Sequence, residues 1–138
     1  MSPESTGGKV CHVPSHAFGA APYQFIVDAD CYKLNHPLTV TLTGAPFKGF
    51  IIQAHQVGSD RAVGYFVAPS AEYKYQCPND INSITHTSRV LKHSLTFGWG
   101  AYERLGPIYF VATVVRQFDH YYVKGVMSKQ LMPCKAPY

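Results

Sequence analysis

An alternating stretch that runs into a glycine- and proline-containing corner constrains this chain more than any other feature. In Leu38–Thr43, three apolar residues alternate with three threonines, which is the period of a strand that buries one face. The segment Gly44–Ala54 then contains two glycines and one proline before a second apolar run that starts at Phe50. The sequence therefore predicts two strands joined by a tight corner, with Phe47 or Phe50 closing one end of the core.

Short strand-like segments follow one another along the rest of the chain, separated by turn residues. The further predicted strands are Tyr23–Val27, Phe50–Gln56, Ala62–Val67, Tyr73–Cys77, Ile84–His86, Ser94–Trp99, Ile108–Val115 and His120–Lys124. Aromatic residues make up 14% of the chain and charged residues only 14%, and no segment has helical periodicity. We predict an all-β protein, an antiparallel β-sandwich of about seven to nine strands, with Trp99 in its core.

The length of 138 residues predicts one domain. Residues 1–8 are small and polar, so we expect a flexible tail there and a single domain over residues 9–138. Met1–Gly8 lacks the apolar core of a secretory signal, and we expect that a signal was removed before the numbering begins at Met1. No apolar run reaches the length of a membrane span.

The four cysteines, Cys11, Cys31, Cys77 and Cys134, include no Cys-x-x-Cys pair, which argues against zinc-ribbon and thioredoxin-type sites. An even number spread over the whole chain is typical of two long-range disulfides in a secreted, extracellular protein. Three pairings are compatible with the spacing alone.

Catalytic signatures are missing from the sequence. It has no Gly-x-Ser-x-Gly elbow, no phosphate-binding loop and no dinucleotide fingerprint, and its eight acidic residues are scattered. We expect no enzyme activity and no cofactor. His12 and His16 have a spacing that metal ligands use, and they form an alternative metal site. They lie in a proline-flanked irregular segment, however, where the spacing does not align two imidazoles as a helix would.

Basic residues give the leading hypothesis for binding, since the formal net charge is +4. The candidate polyanion-binding residues are Arg89, Lys92, Arg116, Lys124 and Lys129, together with Tyr121 and Tyr122. Ammonium and guanidinium groups bind sulfated or phosphorylated glycans through charge-assisted hydrogen bonds. The alternative is that these residues are ordinary solvated charges at strand ends. Nucleic acid is not an expected partner, because no recognition module is present.

Several segments in this order resemble the reeler domain. They are Gly8–His16, Pro46–Phe50, Ile84–Ser88, Phe110–Val115 and Tyr121–Lys124. The reeler domain occurs at the N-terminus of reelin and the spondins, in ferric-chelate-reductase-like membrane proteins, and as small stand-alone defence proteins of invertebrates. The resemblance extends from about residue 9 to about residue 131, which is nearly the whole chain.

The resemblance implies an immunoglobulin-like sandwich and a disulfide pattern. Cys11 and Cys77 fall where the family has its common disulfide, and Cys134 is similar in place to a tail cysteine of spondin-type members. In those members the partner of the tail cysteine lies where this chain has Pro107. Because this chain has no cysteine there, the resemblance leaves Cys31 as the expected partner of Cys134. His86 matches a family position occupied by a hydrogen-bonded structural residue, as does His16.

The resemblance also implies a function. We expect a secreted, non-catalytic module of the defence type that binds glycosaminoglycan-like or microbial surface glycans. One alternative is an extracellular-matrix protein that self-associates as a homo-oligomer through exposed edge strands and tyrosines. A second alternative is a module that carries a metal or a small molecule.

Overall fold

A computed structural model describes residues 23–59, 61–77, 80–117 and 121–135, and within these ranges the chain forms strands and no helix. The strands are β1 (Tyr23–Val27), β2 (Cys31–Tyr32), β3 (Leu38–Phe47), β4 (Gly49–Gln56), β5 (Tyr65–Phe66), β6 (Tyr73–Cys77), β7 (Asp80–His86), β8 (Lys92–Gly100), β9 (Ile108–Gln117), β10 (Tyr121–Met127) and β11 (Met132–Pro133). The expected flexible tail, residues 1–8, lies outside the described residues.

Two antiparallel sheets form the sandwich. One has the order β1-β3-β8-β5 and the other the order β10-β9-β4-β7-β6, so the two sheets contain nine of the described strands. β2 and β11 add a short parallel pair, in which Cys31 lies beside Met132. The predicted all-β antiparallel sandwich is confirmed. β9, which is apolar on both faces, lies between β10 and β4 inside its sheet and not at an edge.

The core lies between the sheets and consists of alternate residues of the facing strands. Trp99 is fully buried, as the sequence predicts, and its ring meets Tyr32 and Phe110 edge to face at centroid distances of 5.7 and 5.4 Å. Its indole N–H donates to the carbonyl of Val63 at 3.2 Å, which satisfies the one polar group of a buried tryptophan. Such edge-to-face pairs stabilise an aromatic core beyond the area that they bury.

The corner after β3 is shorter than the sequence predicts. β3 continues to Phe47 and β4 begins at Gly49, so Lys48 alone connects two strands that belong to different sheets. The pairing of β3 with β8 shifts register between Thr43 and Phe47, and this irregularity accommodates the intervening glycine and proline without ending the strand. Phe47 and Phe50 are both fully buried, with ring centroids 6.2 Å apart.

Other strands differ in extent from the predictions. β5 contains only Tyr65 and Phe66, whereas the sequence predicts Ala62–Val67. Gly64 interrupts that segment with a φ of 76°, a conformation that does not continue a strand. β7 is longer than predicted, because Asp80 also pairs with Cys77 at the turn between β6 and β7.

A disulfide joins Cys31 to Cys134, with 4.9 Å between the two Cα atoms, and it ties the start of β2 to the segment after β11. This pairing of Cys31 with Cys134 is the one expected from the family resemblance. The bond closes a loop with a sequence separation of 103 residues. In the chain-entropy account, such closure stabilises the fold by about 4 to 5 kcal/mol. Cys77 is also disulfide-bonded, and its expected partner, Cys11, lies outside the described residues.

We predict that Gly64→Ala destabilises the protein by about 3 kcal/mol or more. A Cβ at position 64 would collide with the buried ring of Trp99, and alanine is strained at a φ of 76°. Gly58→Ala is the matched control, because Gly58 also has positive φ, 89°, but a Cβ there has nothing within 4 Å. We expect about 1 kcal/mol for the control in urea unfolding. Equal losses in both variants would contradict the packing argument.

Candidate functional site

The one-residue crossing at Lys48 brings several cationic residues to the same end of the sandwich. The backbone N–H of Lys48 donates to the carbonyl of Val115 at 2.9 Å, so the crossing lies beside the end of β9, where Arg116 follows. Phe47 pairs with Lys92 at the start of β8. Lys48, Lys92 and Arg116 therefore approach one another although they are far apart in sequence.

The ammonium group of Lys92 organises this end. It donates to three carbonyl oxygens, those of Val90 at 2.6 Å, Lys48 at 2.7 Å and Ser88 at 3.3 Å. A lysine has three donors, and all three are used here. Burial lowers the pKa of Lys92, and the nearby carboxylate of Glu72 acts in the opposite direction. Lys92 is therefore a cation that fixes the backbone, and the ligand-binding role that we expected for it stays a prediction.

His86 lies behind the crossing as a neutral, hydrogen-bonded side chain. Its Nδ1 accepts the backbone N–H of Phe50 at 3.2 Å, and its ring meets the ring of Phe50 at a centroid distance of 5.8 Å. Gly49 is needed beside it, since a Cβ there would lie 2.6 Å from Cε1 of His86. Burial lowers the pKa of His86, while a hydrogen bond that the protonated ring donates to the Phe50 carbonyl opposes the shift, and the positive charges of three nearby residues lower the pKa further.

The cations around His86 define a basic end of the sandwich. The basic end consists of Lys48, Lys74, Arg89, Lys92 and Arg116. The charges of Lys74, Arg89 and Lys92 all lower the pKa of His86, so these three residues lie in the neighbourhood of the same imidazole. Within the described side chains, Glu72 is the acid that acts on this group, through Lys92. The arrangement produces a positive potential at this end.

The start of the last hairpin also lies at the basic end. Tyr121 pairs with Gln117 and Tyr122 with Val115, and Lys124 lies further along opposite Thr113. The structure gives the backbone positions of Tyr121, Tyr122 and Lys124, and it brings the first two to the level of Arg116. Whether their side chains take part in binding stays a prediction.

Lys129 lies at the opposite end, so the structure does not place it with Arg116. β10 runs back along β9 before residue 129 is reached, and the N–H of Ser128 donates to the carbonyl of Phe110. Residue 110 is roughly 20 Å from residue 116 along an extended strand. The ammonium of Lys129 instead pairs with Asp30 at 2.9 Å, and this hydrogen bond and charge lower the pKa of the Asp30 carboxyl.

Two members of the basic end, Lys48 and Lys74, are absent from the sequence prediction. Lys48 lies in the corner segment, which the sequence suggests to be structural. Lys74 reaches this end because β6 pairs with β7, where it lies opposite Thr85, next to His86. That pairing is a hairpin between consecutive strands, and its register depends on residues of β7 that the sequence prediction does not include. The position of Lys48 at the corner, in contrast, is a usable sequence signal.

The alternative metal ligands, His12 and His16, lie outside the described residues. In the part of the chain that the structure describes, no group of three or more histidine, cysteine, aspartate or glutamate side chains is arranged to hold a metal ion. The same residues include no helix of the length and apolar character that crossing a bilayer requires.

Comparison with known proteins agrees with this architecture. The sequence model of the reeler domain family matches residues 9–137. The human F-spondin reeler domain superposes with a TM-score of 0.70 over 84% of this chain and 91% of that chain, at 19% sequence identity, which supports the shared fold.

Two curated relatives are similar in sequence. Ferric-chelate reductase 1 of Mus musculus is 30% identical over 88% of this chain, and the chain spans 22% of the length of that protein. A protein of Antheraea mylitta named "Putative defense protein 3" is 28% identical over 75% of this chain, and the chain spans 66% of its length. The similarity to the reductase therefore concerns a small part of a much longer protein.

We predict that the free energy of unfolding decreases as the pH falls below about 6.5. The unfolded chain protonates His86 near that pH, whereas the folded protein protonates it only at lower pH. Between the two pKa values the unfolded state binds more protons, so acid favours unfolding. In urea titrations at several pH values, His86→Asn should reduce this dependence, and His93→Asn, at an exposed position, should leave it unchanged. An unaltered pH dependence in His86→Asn would refute the assignment.

We also predict that Lys92→Met destabilises the protein by about 1 to 3 kcal/mol, because three carbonyl groups lose a charged donor. Lys129→Met removes the same charge from an exposed ion pair and should leave the free energy of unfolding nearly unchanged. Denaturant unfolding of both variants tests the comparison, and a Lys92→Met variant as stable as Lys129→Met would show that the carbonyl contacts do not matter.

Proposed function

Since this chain belongs to the reeler domain family, we propose that it is a secreted, non-catalytic module whose basic end binds polyanionic glycans on microbial or extracellular surfaces. Family membership makes the chain an extracellular module, and the reeler domain is a non-catalytic module in spondin and reelin. The disulfide bonds suit the same oxidising environment.

The observation that carries the proposal is the convergence of the five cations of the basic end from four separate segments of the chain. Lys74 and Arg89 are exposed, and Lys48 and Arg116 are half-buried beside them. A row of sulfate or phosphate groups on a glycan would form charge-assisted hydrogen bonds with such side chains. The fixed backbone at Lys92 holds the surface in place, which reduces the entropy lost on binding.

A defence role is part of the proposal, and the similarity to the Antheraea mylitta protein supports it. Microbial surfaces are rich in anionic polymers, which a positively charged module attracts over several ångströms. We do not extend ferric-chelate reduction to this chain, because the similarity to the mouse reductase covers only 22% of that protein.

We predict that the triple variant Lys48→Gln, Lys74→Gln, Arg89→Gln binds a heparin oligosaccharide about 100-fold more weakly than the wild type at 0.1 M salt, since each lost charge contributes about 1 kcal/mol at the surface. Isothermal titration calorimetry measures the dissociation constants, and raising the salt concentration should weaken wild-type binding more steeply than variant binding.

The control removes three charges at the opposite end of the sandwich. Lys33, Lys129 and Lys135 are exposed and lie around the Cys31–Cys134 disulfide. The variant Lys33→Gln, Lys129→Gln, Lys135→Gln has the same net charge as the first variant. It should bind heparin as the wild type does. Equal losses in both triple variants would show that the net charge matters and the basic end does not.

A further inference from the structure

The loop that precedes β8 exposes two adjacent aliphatic side chains. Val90 has 68% of its surface exposed and Leu91 has 52%, and no other large apolar residue of the described chain is as exposed as Val90. Isolated apolar residues are common on protein surfaces, but two neighbours at the tip of one loop keep a continuous apolar surface in water. This pair therefore requires an explanation that the binding of glycans does not supply.

The backbone of this loop is held in a defined shape. At its start, Thr87 donates its N–H to the carbonyl of Glu72 at 3.2 Å and its hydroxyl to the carbonyl of Ala71 at 2.8 Å. At its end, the ammonium of Lys92 binds the carbonyls of Ser88 and Val90. Because these carbonyl groups point toward Lys92, the loop remains anchored while the side chains of Val90 and Leu91 project into solvent.

Positive charges surround the base of the loop. Arg89 belongs to the loop itself, and Lys74 lies behind it on β6, within reach of the same imidazole of His86. An apolar tip with cations at its base matches the boundary of an anionic bilayer, where head-group phosphates lie above the hydrocarbon region. A glycan would meet the cations but would leave Val90 and Leu91 in water.

We propose that residues 87–91 form a membrane-docking loop. Val90 and Leu91 insert into the outer boundary of an anionic phospholipid bilayer, and Lys74 and Arg89 contact the head-group phosphates. The inference shares the cations of the basic end with the proposed glycan-binding function, but it depends on two apolar residues that glycan binding does not need.

The test is co-sedimentation with phosphatidylcholine vesicles that contain about 30 mol% phosphatidylglycerol. On such an anionic surface, each Lys or Arg contributes about 1 kcal/mol to the free energy of binding. The double variant Val90→Ser, Leu91→Ser should lower the partition coefficient about 10- to 100-fold, because two aliphatic side chains no longer leave water. The matched control is Val57→Ser, Val67→Ser, which changes two valines of 43% and 47% exposure elsewhere on the surface. The control should bind vesicles as the wild type does.

A second variant separates loss of insertion from loss of folding. Leu91→Trp enlarges the apolar tip, so it should bind the anionic vesicles more tightly, and its added fluorescence should shift to shorter wavelength on binding. The buried Trp99 should contribute a constant background, since it lies fully inside the core. Urea unfolding of Leu91→Trp that matches the wild type excludes a gain in binding through an impaired fold, since a partly unfolded chain would also expose apolar surface.

Three outcomes decide whether the loop inserts into the bilayer. Weak vesicle binding by the double serine variant, together with heparin binding equal to that of the wild type, supports the docking loop. Equal vesicle binding by the serine variant and the wild type shows that charge alone acts, which overturns insertion but leaves glycan binding intact. Failure of the wild type to bind the anionic vesicles overturns the proposal outright, whatever the heparin measurements show.

Discussion

The burial of Phe47 and Phe50 on either side of a single connecting residue determines how this end of the molecule is built. The two rings are fully buried, and they belong to strands of different sheets. Both can reach the same core only if the chain crosses between the sheets at Lys48. The crossing then presents the Lys48 carbonyl to the ammonium of Lys92, which also lies 6.0 Å from the centre of the Phe47 ring.

Lys92 links this packing to the surface. Its three carbonyl contacts connect the crossing to the loop before β8, so the shape of the loop depends on the core beneath it. The same contacts hold Lys92 against the backbone, and Lys74 and Arg89 are exposed beside it. A preformed surface of this kind suits the recognition of an extended polyanion, because little backbone ordering is required on binding.

Local alternation was sufficient to predict most strands and the buried Trp99, because burial of one face imposes a period of two. It failed where distant strands decide the outcome. The length of β3 depends on its irregular pairing with β8, and Lys129 is carried away from Arg116 by the full length of β10. Lys74 was missed for a different reason: β7 is longer than predicted, and its hairpin with β6 places Lys74 opposite Thr85, next to His86.

Amide mapping by NMR tests the central claim most directly, namely that the end of the sandwich around Lys48 is the binding surface. The isotopically labelled protein would be titrated with bicelles that contain anionic phospholipid, and separately with a heparin oligosaccharide. The account predicts that both ligands shift the amides of Lys48, Lys74 and Arg89, and that only the bicelles strongly shift Val90 and Leu91. Shifts centred on Lys33, Lys129 and Lys135 with either ligand would contradict it.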